Sequence, residues 1–77
     1  MSMHTLTLRD PITSTDRRVQ IVIHRDGDQW RYTASFGEVM LAHGENLWFE
    51  REDEVLALAQ ARARAAMQAR GPGAFKA

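Results

Sequence analysis

Apolar and polar residues alternate with period two through the first half of the chain, then give way to a spacing near 3.6. The sequence therefore reads as strands followed by a helix. Val19, Ile21 and Ile23 alternate with Gln20, Val22 and His24. Beyond Arg25-Asp26-Gly27-Asp28, Trp30, Tyr32, Ala34 and Phe36 alternate with Gln29, Arg31, Thr33 and Ser35. Asp26-Gly27 suits a two-residue type I′ turn, in which both central residues need positive φ. That turn pairs Ile23 with Trp30, Ile21 with Tyr32 and Val19 with Ala34, all on one face, where aromatic and β-branched partners stabilise one another. A three-residue loop would set each apolar side chain opposite a polar one; a four-residue loop keeps the parity. Gly37-Glu38 suits a type II′ turn, pairing Phe36 with Val39, Ala34 with Leu41 and Tyr32 with His43. Gly44-Glu45-Asn46 then closes the meander.

From Arg51 to Arg70 there is neither Gly nor Pro, helix-favouring residues dominate, and Gly71-Pro72 supplies a stop. At about 100° per residue, Val55, Leu56, Leu58, Ala59, Ala63, Ala66 and Met67 fall on one half of this helix and Gln60, Arg64 and Gln68 on the other. Glu50, Glu52, Asp53 and Glu54 at its start, with Arg62, Arg64 and Arg70 toward its end, complement the helix dipole. The first helical residue is less sharply marked, because no Ser, Thr or Asp precedes Arg51; Asn46 would cap an earlier start, with Leu47 to Phe49 in the first turn. At the N-terminus, Thr5-Leu6-Thr7-Leu8 alternates before Asp10-Pro11 breaks the pattern, which gives an extra edge strand or a frayed end. The expected fold is α+β: a three- to four-stranded antiparallel β-meander packed on one C-terminal α-helix, β-β-β-α with the extra N-terminal strand as an option. It forms a single domain over residues 1–77, with an ordered core at about 17–70 and flexible ends at 1–4 and 71–77.

Seventy-seven residues build only a small core, so a partner would ease the shortage of buried surface. The absence of cysteine removes disulfides and thiolate metal sites and fits a reducing compartment. No apolar run approaches the ~18 residues of a membrane span, and Met1-Ser2-Met3-His4-Thr5 has no basic segment followed by an apolar one, so a cytoplasmic protein with no membrane attachment is expected. Ten basic and ten acidic residues cancel, which argues against the broad cationic surface of a dedicated nucleic-acid binder.

Catalytic signatures are missing: there is no phosphate-binding glycine loop, dinucleotide fingerprint, HExxH or nucleophile elbow, so a non-enzyme without cofactors is expected. His24-Arg25-Asp26-Gly27-Asp28 gathers an imidazole and two carboxylates. A tight hairpin points such side chains apart, and turn chemistry accounts for the aspartates, so no metal site is assigned. His43 opposite Tyr32 reads as a structural pair. Trp30, Tyr32 and Phe36 could stack on bases, but they share the face that the helix must cover. The opposite sheet face, with Gln20, Val22, His24, Gln29, Arg31, Thr33, Ser35, Met40 and Ala42, is left as the surface for partners. Adjacent Trp48 and Phe49 rarely both enter one core, which extends that surface. The candidate interaction residues are therefore Val22, Arg31, Thr33, Met40, Trp48 and Phe49, serving a homodimer or another protein. The alternative is single-stranded nucleic acid held at His24, Arg25 and Arg31.

The stretch Gln29-Trp30-Arg31-Tyr32-Thr33-Ala34-Ser35-Phe36-Gly37-Glu38-Val39-Met40-Leu41-Ala42, followed by a helix that starts with acidic residues and Ala, resembles the short YegP-like domains of bacteria. The likeness covers about half the chain and omits the Ser-rich helix cap and second copy of that family. The strand-strand-strand-helix order is also similar to HicB-like antitoxins, though the Pro-containing loop and capping Thr of that group are absent. The first family has no established activity, and the second binds and occludes a small RNA-cleaving toxin. Neither resemblance implies a catalytic residue, and both imply binding.

Overall fold

A computed structural model describes residues 1–70; the expected tail 71–77 lies outside the described residues. Four strands, β1 (Ser2–Asp10), β2 (Thr15–Asp26), β3 (Gln29–Phe36) and β4 (Val39–Leu47), form one antiparallel sheet in the order β1-β2-β3-β4, followed by a single helix, α1 (Glu52–Ala69). The optional N-terminal strand is present and longer than Thr5 to Leu8. It pairs along its whole length with β2, from Ser2 opposite Ile23 to Asp10 opposite Thr15.

The helix covers one sheet face. Val55, Ala59, Ala63 and Met67, spaced four apart, are buried against Val19, Ile21, Ile23, Trp30, Tyr32 and Ala34. Two alanines in the middle of that stripe let the helix backbone sit close to the sheet, and the larger Val55 and Met67 fill its two ends. Both buried aromatics that carry a polar group have it satisfied, as burial requires. Trp30 Nε1 donates to the Phe49 carbonyl at 2.8 Å, and the Tyr32 hydroxyl accepts from Arg62 Nη1 at 3.2 Å.

The β2–β3 hairpin corrects the expected register. Its turn is Gly27-Asp28, closed by Asp26 opposite Gln29, with Gly27 at φ 66° and Asp28 outside the positive-φ region. Positive φ at the first central position alone fits a type II′ turn. Ile23 therefore faces Tyr32 and Ile21 faces Ala34, a slip of two residues that leaves every side chain on its expected face. At the next turn Gly37 has φ 54° and Phe36 faces Val39, as expected.

Beyond that turn β4 departs from simple alternation. Ser35 faces Met40 but Ala34 faces Ala42, so Leu41 is an extra residue; farther on, Tyr32 faces Gly44 and Trp30 faces Leu47, which adds another. Asn46, in the second bulge, holds the left-handed conformation at φ 57° that a short polar side chain tolerates. The first bulge turns Ala42 and Gly44 toward the helix and His43 away from it, opposite Thr33. The expected Tyr32–His43 and Ala34–Leu41 pairs do not form, and Gly44 to Asn46 belong to the strand instead of ending it. Tyr32 supplies the reason for Gly44: a β-carbon there would lie 2.6 Å from the ring's Cε1.

Arg51 is the N-cap residue, and the helix begins at Glu52, not near Asn46. The Glu54 carboxylate replaces a capping side chain by accepting from the backbone N–H groups of Glu50 and Arg51 at 3.2 and 3.3 Å. The expected basic complement at the other end is thinner, since the last turn holds no base. Arg62 is used on Tyr32. Arg70, the C-cap residue, reaches across to Asp10.

Asp10 is the buried carboxylate of the fold, 1 % exposed. Its Oδ1 accepts from the Ile12 N–H at 3.0 Å, and its Oδ2 lies 3.5 Å from Arg17 Nε and 3.7 Å from Arg70 Nη2. Both guanidinium groups also sit over the Phe36 ring. The Ile12 N–H holds the carboxyl below the usual aspartate range; burial pushes it up, and Arg70 and Arg17 add to the lowering.

Gly44→Ala should cost about 1–3 kcal/mol, the usual range for overpacking a close contact, read as a lower urea midpoint with an unchanged m-value. Because the Asp10 carboxyl is held low, its stabilisation is complete above the unfolded value near ~4 and is lost as pH falls through the lower folded value. Asp10→Asn should therefore be less stable than the parent at neutral pH, with the gap closing below about pH 4 in denaturation curves taken across the acid range. A gap that stays constant with pH would show that the charge contributes nothing.

Candidate interaction face

Among the described residues nothing covers the sheet face opposite helix α1, and strand pairing fixes what that face presents. One row across the sheet is Met3, Val22, Thr33 and His43; the next is Thr5, Gln20, Ser35 and Met40; a third places His24 opposite Arg31. Met3 is 61 % exposed and Met40 54 %, while Val22 between them is half-buried. This is a mixed surface with separated apolar points, as on a solvated antiparallel sheet or one that accepts a partner.

Of the residues expected to form the interaction surface, Val22, Arg31, Thr33 and Met40 do share this face. Ala42, expected beside them, is turned inward by the first β4 bulge. Trp48 and Phe49 divide as adjacent residues must. Phe49 packs against the core and Trp48 is 67 % exposed. With Arg25, Asp28 and Glu50 these two line an open groove of about 500 Å³ at the hairpin end of the molecule.

The nucleic-acid set is split. His24 and Arg31 face each other across β2 and β3, whereas Arg25 pairs with Trp30 on the inner face, its guanidinium 5.2 Å from the centre of the Trp30 ring and its Nε donating to the Gly27 carbonyl at 3.1 Å. His24, Arg31, Thr33, Met40, His43 and Glu45 surround a shallow depression of about 260 Å³, with Tyr32 and Gly44 at its floor. Among the described residues, Arg31 has no carboxylate within ion-pair distance. Its rings are the imidazoles of His24 and His43, because Trp30 and Tyr32 are buried on the helix side. A phosphate could meet Arg31, but a base would find no Trp, Tyr or Phe ring to stack on, only the smaller imidazoles of His24 and His43.

Two features of this region were missed in the sequence. His43 joins the outer face only through the β4 bulge, and Met3 joins it because β1 is a full strand. Gly44 was the available signal for the first, since an isolated glycine inside a strand marks a bulge or a close backbone approach. Met3 would have followed from extending the Thr5–Leu8 alternation backward by two residues.

His4 sits on the helix side, not in a loose end. Its Nε2 lies 3.8 Å from Glu52 Oε2, and the Ser2 hydroxyl donates to Glu52 Oε1. Both side chains address the same carboxylate, so serine and histidine do not form a nucleophile–base couple. Among the described residues, no three His, Asp or Glu side chains come together as a cation site, and no helix is long and apolar enough to cross a membrane. No family model matches the sequence, and searches of curated proteins and of solved structures give no match either.

Proposed function

We propose that this chain is a small non-enzymatic bacterial protein that acts in the cytoplasm by protein–protein contact, with a second copy of itself as its first partner. A single observation supports this reading above the others: among the described residues, helix α1 covers only one face of the four-stranded sheet, leaving Met3, Val22 and Met40 on the other, and Trp48 stands exposed at the hairpin end. A chain of this size buries a smaller share of its surface than a larger domain does, so association recovers stability that the monomer lacks. The resemblances to YegP-like domains and HicB-like antitoxins point in the same direction, toward binding. Nucleic acid is the weaker reading, because the cationic points on the open face are few and no Trp, Tyr or Phe ring accompanies them.

Light scattering coupled to size exclusion should give twice the 8.8 kDa chain mass at micromolar concentrations. A mass of one chain at every concentration tested would remove self-association from the proposal.

A further inference from the structure

The two edges of the sheet differ in a way that points to how a second copy joins. Open edges invite pairing with another chain, and proteins blunt them with bulges, prolines, inward charges or short strands. Edge β4 carries two bulges and a left-handed Asn46. Edge β1 is less protected: nine residues pair with β2 without a register shift, no proline interrupts them, its inward-facing carboxylate, Asp10, stands at the very end, and the outer side chains are Met3, Thr5, Thr7 and Arg9. Among the described residues, the backbone groups of β1 that point away from β2 have no neighbouring strand.

We infer that β1 pairs antiparallel with β1 of a second copy about a twofold axis at Leu6, fusing two sheets into one of eight strands. The inference rests on the proposed self-association and adds its geometry. Leu6, Leu8 and His4 lie on the helix side and stay half-buried because no strand flanks them. A symmetric antiparallel pair must keep the helix side of one strand beside the helix side of the other. Centring on Leu6 alone pairs all nine residues, from Ser2 with the second copy's Asp10 onward; moving the axis to Thr7 would set Pro11 opposite Met3 and spoil the ladder.

The chosen register is self-complementary. Leu6 meets Leu6 on the axis, and Leu8 meets His4 on either side of it. On the outer face each Thr5 meets a Thr7, a cross-strand pair that is favourable in sheets. Leu8 also borders a groove of about 270 Å³ between β1 and α1, lined by Arg9, Arg64, Met67 and Gln68. In this arrangement the His4 of the second copy lies over that groove. Both helices fall on one side of the joined sheet, and the two open faces become one continuous surface on the other.

The absence of cysteine allows a clean test. Opposed residues on antiparallel strands have Cα atoms about 4.5–5.5 Å apart, within the span of a disulfide. Leu6→Cys should therefore oxidise to a covalent dimer on a non-reducing gel, while Met40→Cys, far from the axis, should remain a single chain. Thr5→Lys combined with Thr7→Lys alters only exposed side chains and sets like charges opposite each other twice. That double variant should keep the parent circular dichroism and lose half its light-scattering mass. If the parent is a dimer but Leu6→Cys fails to cross-link and the lysine variant keeps the dimer mass, the edge geometry is wrong while self-association stands. Cross-linking at Met40→Cys in place of Leu6→Cys would move the interface to the open face. A monomeric parent overturns both readings.

Discussion

The fold depends on one close approach: the helix backbone, narrowed by Ala59 and Ala63, lying on a sheet whose centre is filled by Tyr32. Tyr32 makes this possible because its ring fits over Gly44 on the neighbouring strand and its hydroxyl accepts from Arg62 of the helix. A side chain at position 44 would lift the ring, and a larger residue at 59 or 63 would lift the helix. The bulges in β4 belong to the same constraint. They deliver a glycine to the position facing Tyr32, and they turn β4 so that Leu47 and Phe49 can close the core beside Trp30.

Charge acts as a set of ties between that packed unit and its ends. Glu52 at the helix start is met by Ser2 and His4 of β1, and Arg70 at the helix end reaches Asp10 at the other end of the same strand. The helix is therefore pinned to β1 at both ends, although the sheet side chains it buries fully lie on β2 and β3. This explains why β1 is a complete strand in so short a chain. Arg62 and Arg70, two of the bases near the helix end, are likewise engaged by specific partners, Tyr32 and Asp10. The Asp10 carboxylate belongs with these ties, as its partners are two arginines, a backbone N–H and no open cavity.

Elements whose signal is periodic were legible: the inner faces of β2 and β3, the helix stripe and the Gly37 turn all follow from apolar spacing. What escaped was whatever leaves that spacing unchanged. The β2–β3 slip of two residues preserves every face, so hydrophobic patterning cannot distinguish Asp26-Gly27 from Gly27-Asp28 as the turn. The β4 bulges invert the faces of a strand whose residues Val39, Leu41 and His43 still look regular. Their cause lies in tertiary contact with Tyr32, which no local window contains. The interaction surface was legible to the same degree, with four of its six residues gathered on one face by simple alternation. Arg25 was misplaced because its parity with Ile23 and its stacking on Trp30 were overlooked, and Phe49 because one of two adjacent aromatics had to enter the core.

Among the described residues, one helix covering one face of four strands leaves three other surfaces exposed: the open face and two edges. The structure treats the edges unequally. Bulges break up β4, the edge to which the helix start is connected, whereas β1 stays straight and regular beneath Thr5 and Thr7. A chain under pressure only to remain monomeric would gain from a lysine or a bulge in β1, because either is easily tolerated at an exposed edge. Keeping that edge plain, while leaving Leu6 and Leu8 half-covered beside it, is the pattern expected where another strand completes the sheet. The open face then differs in role from the edge. Its apolar points are separated by Thr33, Gln20 and Arg31, which suits a contact that forms and releases, while the regular ladder of β1 suits one that persists.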